Sequence, residues 1–387
     1  MKTTKEKTNS NLIRTLCISI LCWLLSPFGI QWRKKNILWM FLVIGMIVGQ
    51  RGGLSAQDIH FSQFTMTPLQ LDPSQAGKFG GDTRAIINYR SQWGSVTSNP
   101  FKTYGASFDM PFSNRKKDNF FGGGITAYSD KAGNLSLGIT IVNLTLAYHI
   151  KLDESSYLSG GVQGGFLQSS LNMNKIRSDN QFDGTGHNDN LASGENFANI
   201  SFFELDFAVG ASYTYGDNTS SQVMSDNGFD GKKINVGVGI HHVASPKFSF
   251  LDENTDNLNF RYVLHANTSF GVGGTNMAVQ PSGFIAYQQK ATDVVLGSYF
   301  RYNLKEKSKY SQFSNGAAVS LGVHYRFSDA FIPSILVEMG SFAIGVSYDW
   351  NLSGLSAASK GQGGYELSVR YITPNPFGTR KSQARFF

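Results

Sequence analysis

The stretch Phe203–Tyr215, FELDFAVGASYTY, decides how the rest of the chain is read. Phe203, Leu205, Phe207, Val209, Tyr213 and Tyr215 fall on one side of a period-2 pattern, and Glu204, Asp206 and Ser212 fall on the other. Successive side chains of an extended strand point to opposite faces, so this spacing gives a strand with one apolar and one polar side. The alternation also runs through 83–93, where Ala85, Ile87, Tyr89 and Trp93 oppose Arg84, Asn88, Arg90 and Gln92. In 101–112, Tyr104, Ala106, Phe108, Met110 and Phe112 oppose Thr103, Gly105, Ser107 and Asp109.

The pattern recurs at 142–150, 234–242, 260–270, 317–327, 342–350 and 365–371, and more weakly at 119–129, 156–168, 277–288, 294–303 and 331–339. About fourteen strands of roughly ten residues predict an all-β, transmembrane antiparallel β-barrel. A soluble β-sandwich alternates too, but it needs the charged, proline-blunted edges that this chain lacks. Aromatics near segment ends on the apolar face (Tyr148, Tyr215, Phe327, Trp350 and Tyr371) suit the interfacial girdles of a barrel. Abundant glycine, phenylalanine and tyrosine with only 16% charged residues point the same way.

The net charge of +7 invites a nucleic-acid reading, but its location removes it. Eight basic residues and one acid lie before Gln57, and the remainder carries 26 of each sign. A neutral body has no basic footprint for nucleic acid. Residues 1–56 form a leader with two apolar runs, Leu16–Leu25 and Ile37–Val48. The second follows Arg33-Lys34-Lys35, has the layout of a secretory signal peptide, and implies cleavage near Ala56. Both cysteines, Cys17 and Cys22, lie in the leader, so the remainder has no thiol for a disulfide or a metal. The expected organisation is leader 1–56, irregular segment 57–82, barrel 83–373 and tail 374–387.

Gln57–Gly77, QDIHFSQFTMTPLQLDPSQAG, follows neither strand nor helix periodicity, and Pro68 and Pro73 argue against regular structure. An irregular backbone is tolerated at membrane depth only inside protein or a wet lumen. The segment is therefore expected at or in the barrel lumen, with Phe61, Phe64 and Leu71 packed inward and Pro68 and Pro73 fixing bends. The polar faces carry Arg84, Arg90, Asp109, Glu204, Asp206, Arg261, His265, His324, Arg326, Asp349, Glu366 and Arg370. Both signs are present, which suits a lumen filled by ion pairs better than the single-sign ring of a selective channel.

Other constellations give little. His241-His242 would point to opposite faces of a strand and so make no metal pair. DNQFDG (Asp179–Gly184) and DNGFDG (Asp226–Gly231) lack the later acidic ligands of a calcium loop and read as turns. The glycine runs precede no helix that could cradle phosphate, and no G-x-S-x-G or H-E-x-x-H is present. No catalytic, cofactor-binding or metal-binding set emerges, and an enzyme is not expected.

Two end segments carry a family resemblance. FSQFTMTPLQLDPSQAG with NYRSQW and FKTYGASFDMPF at the front, and FAIGVSYDWNLSGLSAASKGQGGYELSVRYI at the back, resemble the PorP/SprF family of type IX secretion and gliding-motility proteins. The front motif includes Phe61, Gln63, Phe64, Pro68, Leu71, Pro73 and Gly77. Asp72 stands where that family usually has asparagine. The resemblance implies a non-enzymatic outer-membrane barrel of Bacteroidota, embedded in outer-membrane lipid. Such proteins support secretion or surface attachment of a partner with a C-terminal sorting domain, and some work with other secretion components. A porin or small-molecule transporter is the alternative. Partner recognition would fall on loops such as Ser170–Asn199 and Leu352–Gly364.

Overall fold

Alternation becomes a closed wall. The computed structural model describes residues 58–373 apart from 98, 113–118, 134–136, 172–178, 187, 189, 192–193, 195–200, 217–231, 250–256, 306–315 and 355. The leader, the second turn motif at 226–231 and the tail from 374 lie outside the described residues. The first half of the wall comprises β1 (Arg84–Gln92), β2 (Phe101–Phe112), β3 (Phe120–Ala132), β4 (Leu137–Lys151), β5 (Ser156–Ser170), β6 (Ser201–Gly216) and β7 (Lys232–His241). The second half comprises β8 (Arg261–Gly271), β9 (Met277–Gln288), β10 (Ala291–Lys305), β11 (Ala317–Arg326), β12 (Ala330–Met339), β13 (Phe342–Asn351) and β14 (Gln362–Ile372).

Each strand pairs antiparallel with its sequence neighbours, and β1 pairs with β14 to close a fourteen-stranded barrel. The seam register runs from Arg84 opposite Ile372 to Gln92 opposite Gly364. Because β1 begins and β14 finishes at one end, that end is termed the terminal end. The connections 171–200 and 242–260 lie at the other, the loop end. No helix among the described residues is long and apolar enough to cross a membrane.

The outward face is apolar along its length; Leu144 is 65% exposed and Ile87 64%. Its aromatics gather at both ends. Tyr89 contacts Tyr104 and Tyr365 near the loop end, and Phe121–Tyr148 and Phe342–Tyr371 pair near the terminal end. Two aromatic rims around an apolar band match the chemistry of a bilayer.

The lumen is occupied by the chain's own residues 58–77. The prolines, expected to forbid helix, instead start it: Pro68 opens an α-turn (Pro68–Leu71) and Pro73 a 3-10 turn (Pro73–Gln75), after a first 3-10 turn at Phe64–Met66. A proline at the first helical position has no donor to lose there, so it limits the turn's start and not its existence. Phe61, Phe64, Met66, Leu69 and Leu71 are each at most 5% exposed. Phe64 and Leu71 pack with Val263, Phe284 and Val295, Met66 with Ile86 and Ala343, and Leu69 with Ala147.

The wall admits this segment by omitting side chains. A Cβ on Gly161 would stand 2.5 Å from the Pro73 carbonyl carbon and Ser74 nitrogen, and one on Gly122 would stand 2.0 Å from the Ala76 oxygen. Those are backbone atoms, which cannot swing aside. Gly160, the next residue, faces outward, and a Cβ there meets nothing within 4 Å. Gly161→Ala is therefore expected to lower stability by about 1–3 kcal/mol through overpacking, while Gly160→Ala leaves it unchanged; thermal unfolding of the purified variants in detergent checks the contrast.

Candidate functional site: the filled lumen

A segment with so little regular structure leaves most of its backbone polar groups to be satisfied by the wall. Near the loop end, Glu366 of β14 accepts from the backbone N–H of Ser62 at 2.6 Å and of Gln63 at 2.9 Å. Its carboxylate also faces Arg90 at 3.4 Å. Arg90 donates to the His60 carbonyl and, at 3.1 Å, to Asp349. Asp349 also receives Arg326 at 3.1 Å and the Ser62 hydroxyl at 2.8 Å. Two guanidiniums and two carboxylates thus form one buried knot around Ser62.

Near the terminal end a second clasp forms. Arg84 donates twice to Asp109, at 2.9 and 2.7 Å, and Asp109 also accepts the Gly77 N–H at 2.8 Å. Gly77 takes φ +72°, a left-handed turn that sends the chain out of the lumen towards β1. Between the clasps, Asp72 accepts from Ser74 N at 2.8 Å and lies 3.0 Å from His265 Nε2. His149 Nε2 meets the Ala76 carbonyl at 2.8 Å, and His241 Nε2 meets that of Leu71 at 3.2 Å.

At the loop end the segment begins in a third contact. His242 sits between Asp58 at 2.6 Å and Asp206 at 2.8 Å. The strand rule placed His241 and His242 on opposite faces, and that reading is corrected. β7 ends at His241, and His242 takes φ +59°, so both imidazoles reach the lumen segment. Burial disfavours the charged imidazole, but the Asp58 and Asp206 carboxylates outweigh it and push His242 up to about 10. Burial likewise opposes ionisation of Asp58, yet His242 and Arg261 hold its carboxyl below the ordinary range.

The residues read from the polar faces thus sort by place. Arg84 and Asp109 make the terminal clasp; Arg90, Arg326, Asp349 and Glu366 make the knot; Asp206 pairs with His242, and Arg261 lies 4.0 Å from Asp58. His324 meets the Ser282 hydroxyl at 3.0 Å and the Phe64 ring edge-on. Arg370 pairs with Glu338 at 2.8 Å, while Glu204 is half-buried on the inward side of β6 and joins none of these clusters. Asp58, His149, Arg301 and Glu338 were not singled out from the sequence, and Asp72, read only as a departure from the family's usual asparagine, and His242, read only as half of a histidine pair, were given no lumen role. Inward phase marks His149, Arg301 and Glu338, but nothing local marks the others.

Two connections read from the sequence can be followed among the described residues. Asp183 spends its carboxylate on Thr185 and Gly186 of its own turn, and no metal-binding group of three or more ligands occurs among the described residues. The connection after β13, named above as a candidate partner-recognition loop, contains a folded turn. Ser356–Ser359 forms a helical turn, and Asn351 holds the buried Ser359 hydroxyl at 3.3 Å.

With a closed barrel and a tied-in N-terminal segment in view, the family can be placed. Residues 53–371 match the family described as type IX secretion system membrane protein PorP/SprF. The chain belongs to that family. No curated protein sequence matches it. Among solved structures, this PorP/SprF chain is similar to a TodX mutant monoaromatic hydrocarbon channel (10% identity, TM-score 0.44, covering 85% of this chain and 98% of that one). It is similar also to the CymD monoaromatic hydrocarbon channel (10%, TM-score 0.41, 85% and 97%) and an outer membrane channel from Pseudomonas putida F1 (13%, TM-score 0.35, 82% and 99%). Strand number and closure rest on this chain's own pairing.

Two outcomes follow for the PorP/SprF lumen. Asp109→Asn leaves Arg84 without its carboxylate, so stability is expected to fall by about 3–5 kcal/mol, the range for breaking a buried pair, together with loss of amide-exchange protection at Gly77. The Asp58–His242 contact has its own pH window. The raised histidine contributes fully below its ordinary 6.5 and is lost as pH rises through about 10. The depressed carboxyl contributes above its ordinary 3.8 and is lost as pH falls below it. Protease access to the N-terminal side of Ile59 is therefore expected to be lowest between about pH 4 and 6.5 and to increase towards pH 10.

Proposed function

We propose that this protein is a non-enzymatic outer-membrane barrel that serves type IX export by holding or passing a partner protein with a C-terminal sorting domain, and does not conduct solutes. The observation that carries this reading is the occupied lumen. Residues 58–77 run through the barrel and are fixed at both ends by buried charged groups. A porin keeps its lumen open to water, whereas here the polar wall is turned to holding protein.

Orientation follows from the ends. In bacterial outer-membrane barrels the short turns face the periplasm and the long loops face outward. The two longest connections, 171–200 and 242–260, set against 217–231 at the terminal end, support a loop end outside and a terminal end, where residues 78–83 lead into β1, in the periplasm. Residue 58 then lies at the outer mouth, beside His242. Partner contact falls to the surfaces at the two rims.

In planar bilayers the intact protein is expected to be electrically silent. Removal of Asp58–Gly77 is expected to produce a steady conductance or a barrel of lower stability. Steady conductance from the intact protein would instead support the porin reading. In cells, deletion of the gene is expected to reduce surface display of a large secreted protein bearing a C-terminal sorting domain, scored by antibody labelling of whole cells; full display of every such protein would sink the export role.

A further inference from the structure

The terminal half of the lumen is not completely filled. Beneath the lumen segment, towards the terminal end, lies a half-open cavity of about 210 Å³, with a volume for about seven waters. Its floor is apolar, from Phe64, Met66, Leu71 and Leu336. Its rim is not: five of the lining residues are Lys or Arg, and Glu338 is the one acid.

Lys78 is the telling member. It follows Gly77, is half-buried, and its ammonium donates to the Ser212 hydroxyl at 3.0 Å. Among the described residues no carboxylate lies within ion-pair distance of it. A second group is also left over. His265, 2% exposed, lines the same cavity and uses Nε2 on Asp72, while its Nδ1 is buried with no hydrogen-bond partner among the described residues. Glu338 is already engaged by Arg301 and Arg370, each at 2.8 Å. With Arg84 paired to Asp109 and Arg301 and Arg370 to Glu338, it is the Lys78 ammonium above an apolar floor that calls for an anionic head on a short apolar stem.

We propose that this cavity is a binding site for a carboxylate carried on one apolar residue or stem, seated with its charge at Lys78 and its stem against Phe64, Met66 and Leu71. Such a group arrives either as the C-terminal residue of a polypeptide or as a free organic acid. The site deepens the export reading by giving the periplasmic mouth a receptor for chain ends, but its binding test is independent of any export phenotype.

The intact protein in detergent is titrated by calorimetry with N-acetyl-glycyl-phenylalanine, its C-terminal amide, phenylacetate and inorganic phosphate. The acid is expected to bind at least roughly tenfold more tightly than the amide, the effect of one charge-assisted hydrogen bond. Lys78→Gln is expected to remove that preference, Lys78→Arg to keep it, and Lys247→Gln, exposed at the loop end, to leave it unchanged. Tighter binding of the dipeptide than of phenylacetate assigns the site to chain termini, and equal binding assigns it to free acids; both support it. Equal binding of acid and amide by the wild type overturns the proposal without recourse to any variant, as does phosphate binding as tightly as either carboxylate.

Discussion

Residues 58–77 cross the inside of the barrel with only three short turns of helix, and their backbone polar groups must find partners there. That constraint organises the rest of the lumen. Strand ladders satisfy the wall, but the segment inside has no ladder to join. Carboxylates accept its N–H groups (Glu366 at Ser62 and Gln63, Asp109 at Gly77), and imidazoles meet its carbonyls (His149 at Ala76, His241 at Leu71). Once acids are buried to receive N–H groups, arginines must be buried to balance them. The mixed charge of the lumen is thus a consequence of what lies in it.

An apolar segment packed on an apolar wall would bury as much surface with less desolvation. The charged solution costs more and specifies more. Carboxylates with fixed N–H donors accept one register of the segment, and glycines such as Gly122 and Gly161 leave room only where the backbone passes. A slip by one residue would place side chains over wall positions that have none and leave buried charges unpaired. Register is held by unfavourable alternatives as much as by favourable contacts.

The wall was legible in the sequence because its signal is local. Period 2 needs only a residue and its next neighbours, and β2, β9 and β11 run within a residue of the limits read from it. β4 was read at 142–150 but extends over Leu137–Lys151, since its first half, LGITIVN, mixes apolar and polar residues on both faces. The contents of the lumen were legible as chemistry and not as geometry. Phase alone places Glu366, Asp349 and Arg90 inward, but which one receives a backbone N–H depends on strand register around the barrel and on the path of residues far away in sequence. His242 was lost for a different reason: one left-handed backbone angle just past a strand reverses the face that alternation assigns.

The acids that accept the segment's N–H groups, with most of their arginine partners, stand on the strands that close the ring. Glu366 lies on β14, Arg84 and Arg90 lie on β1, and Asp109 and Asp349 lie on their immediate neighbours β2 and β13. The first and last strands of the chain therefore meet across a shared cargo of charge, and each half of the seam holds acids or arginines whose partners are on the other half or on the segment. A ring that joined while empty would trap those groups unpaired at its own junction. Sealing the cylinder and filling it are thereby coupled, with residues 58–77 acting as the staple of the final joint.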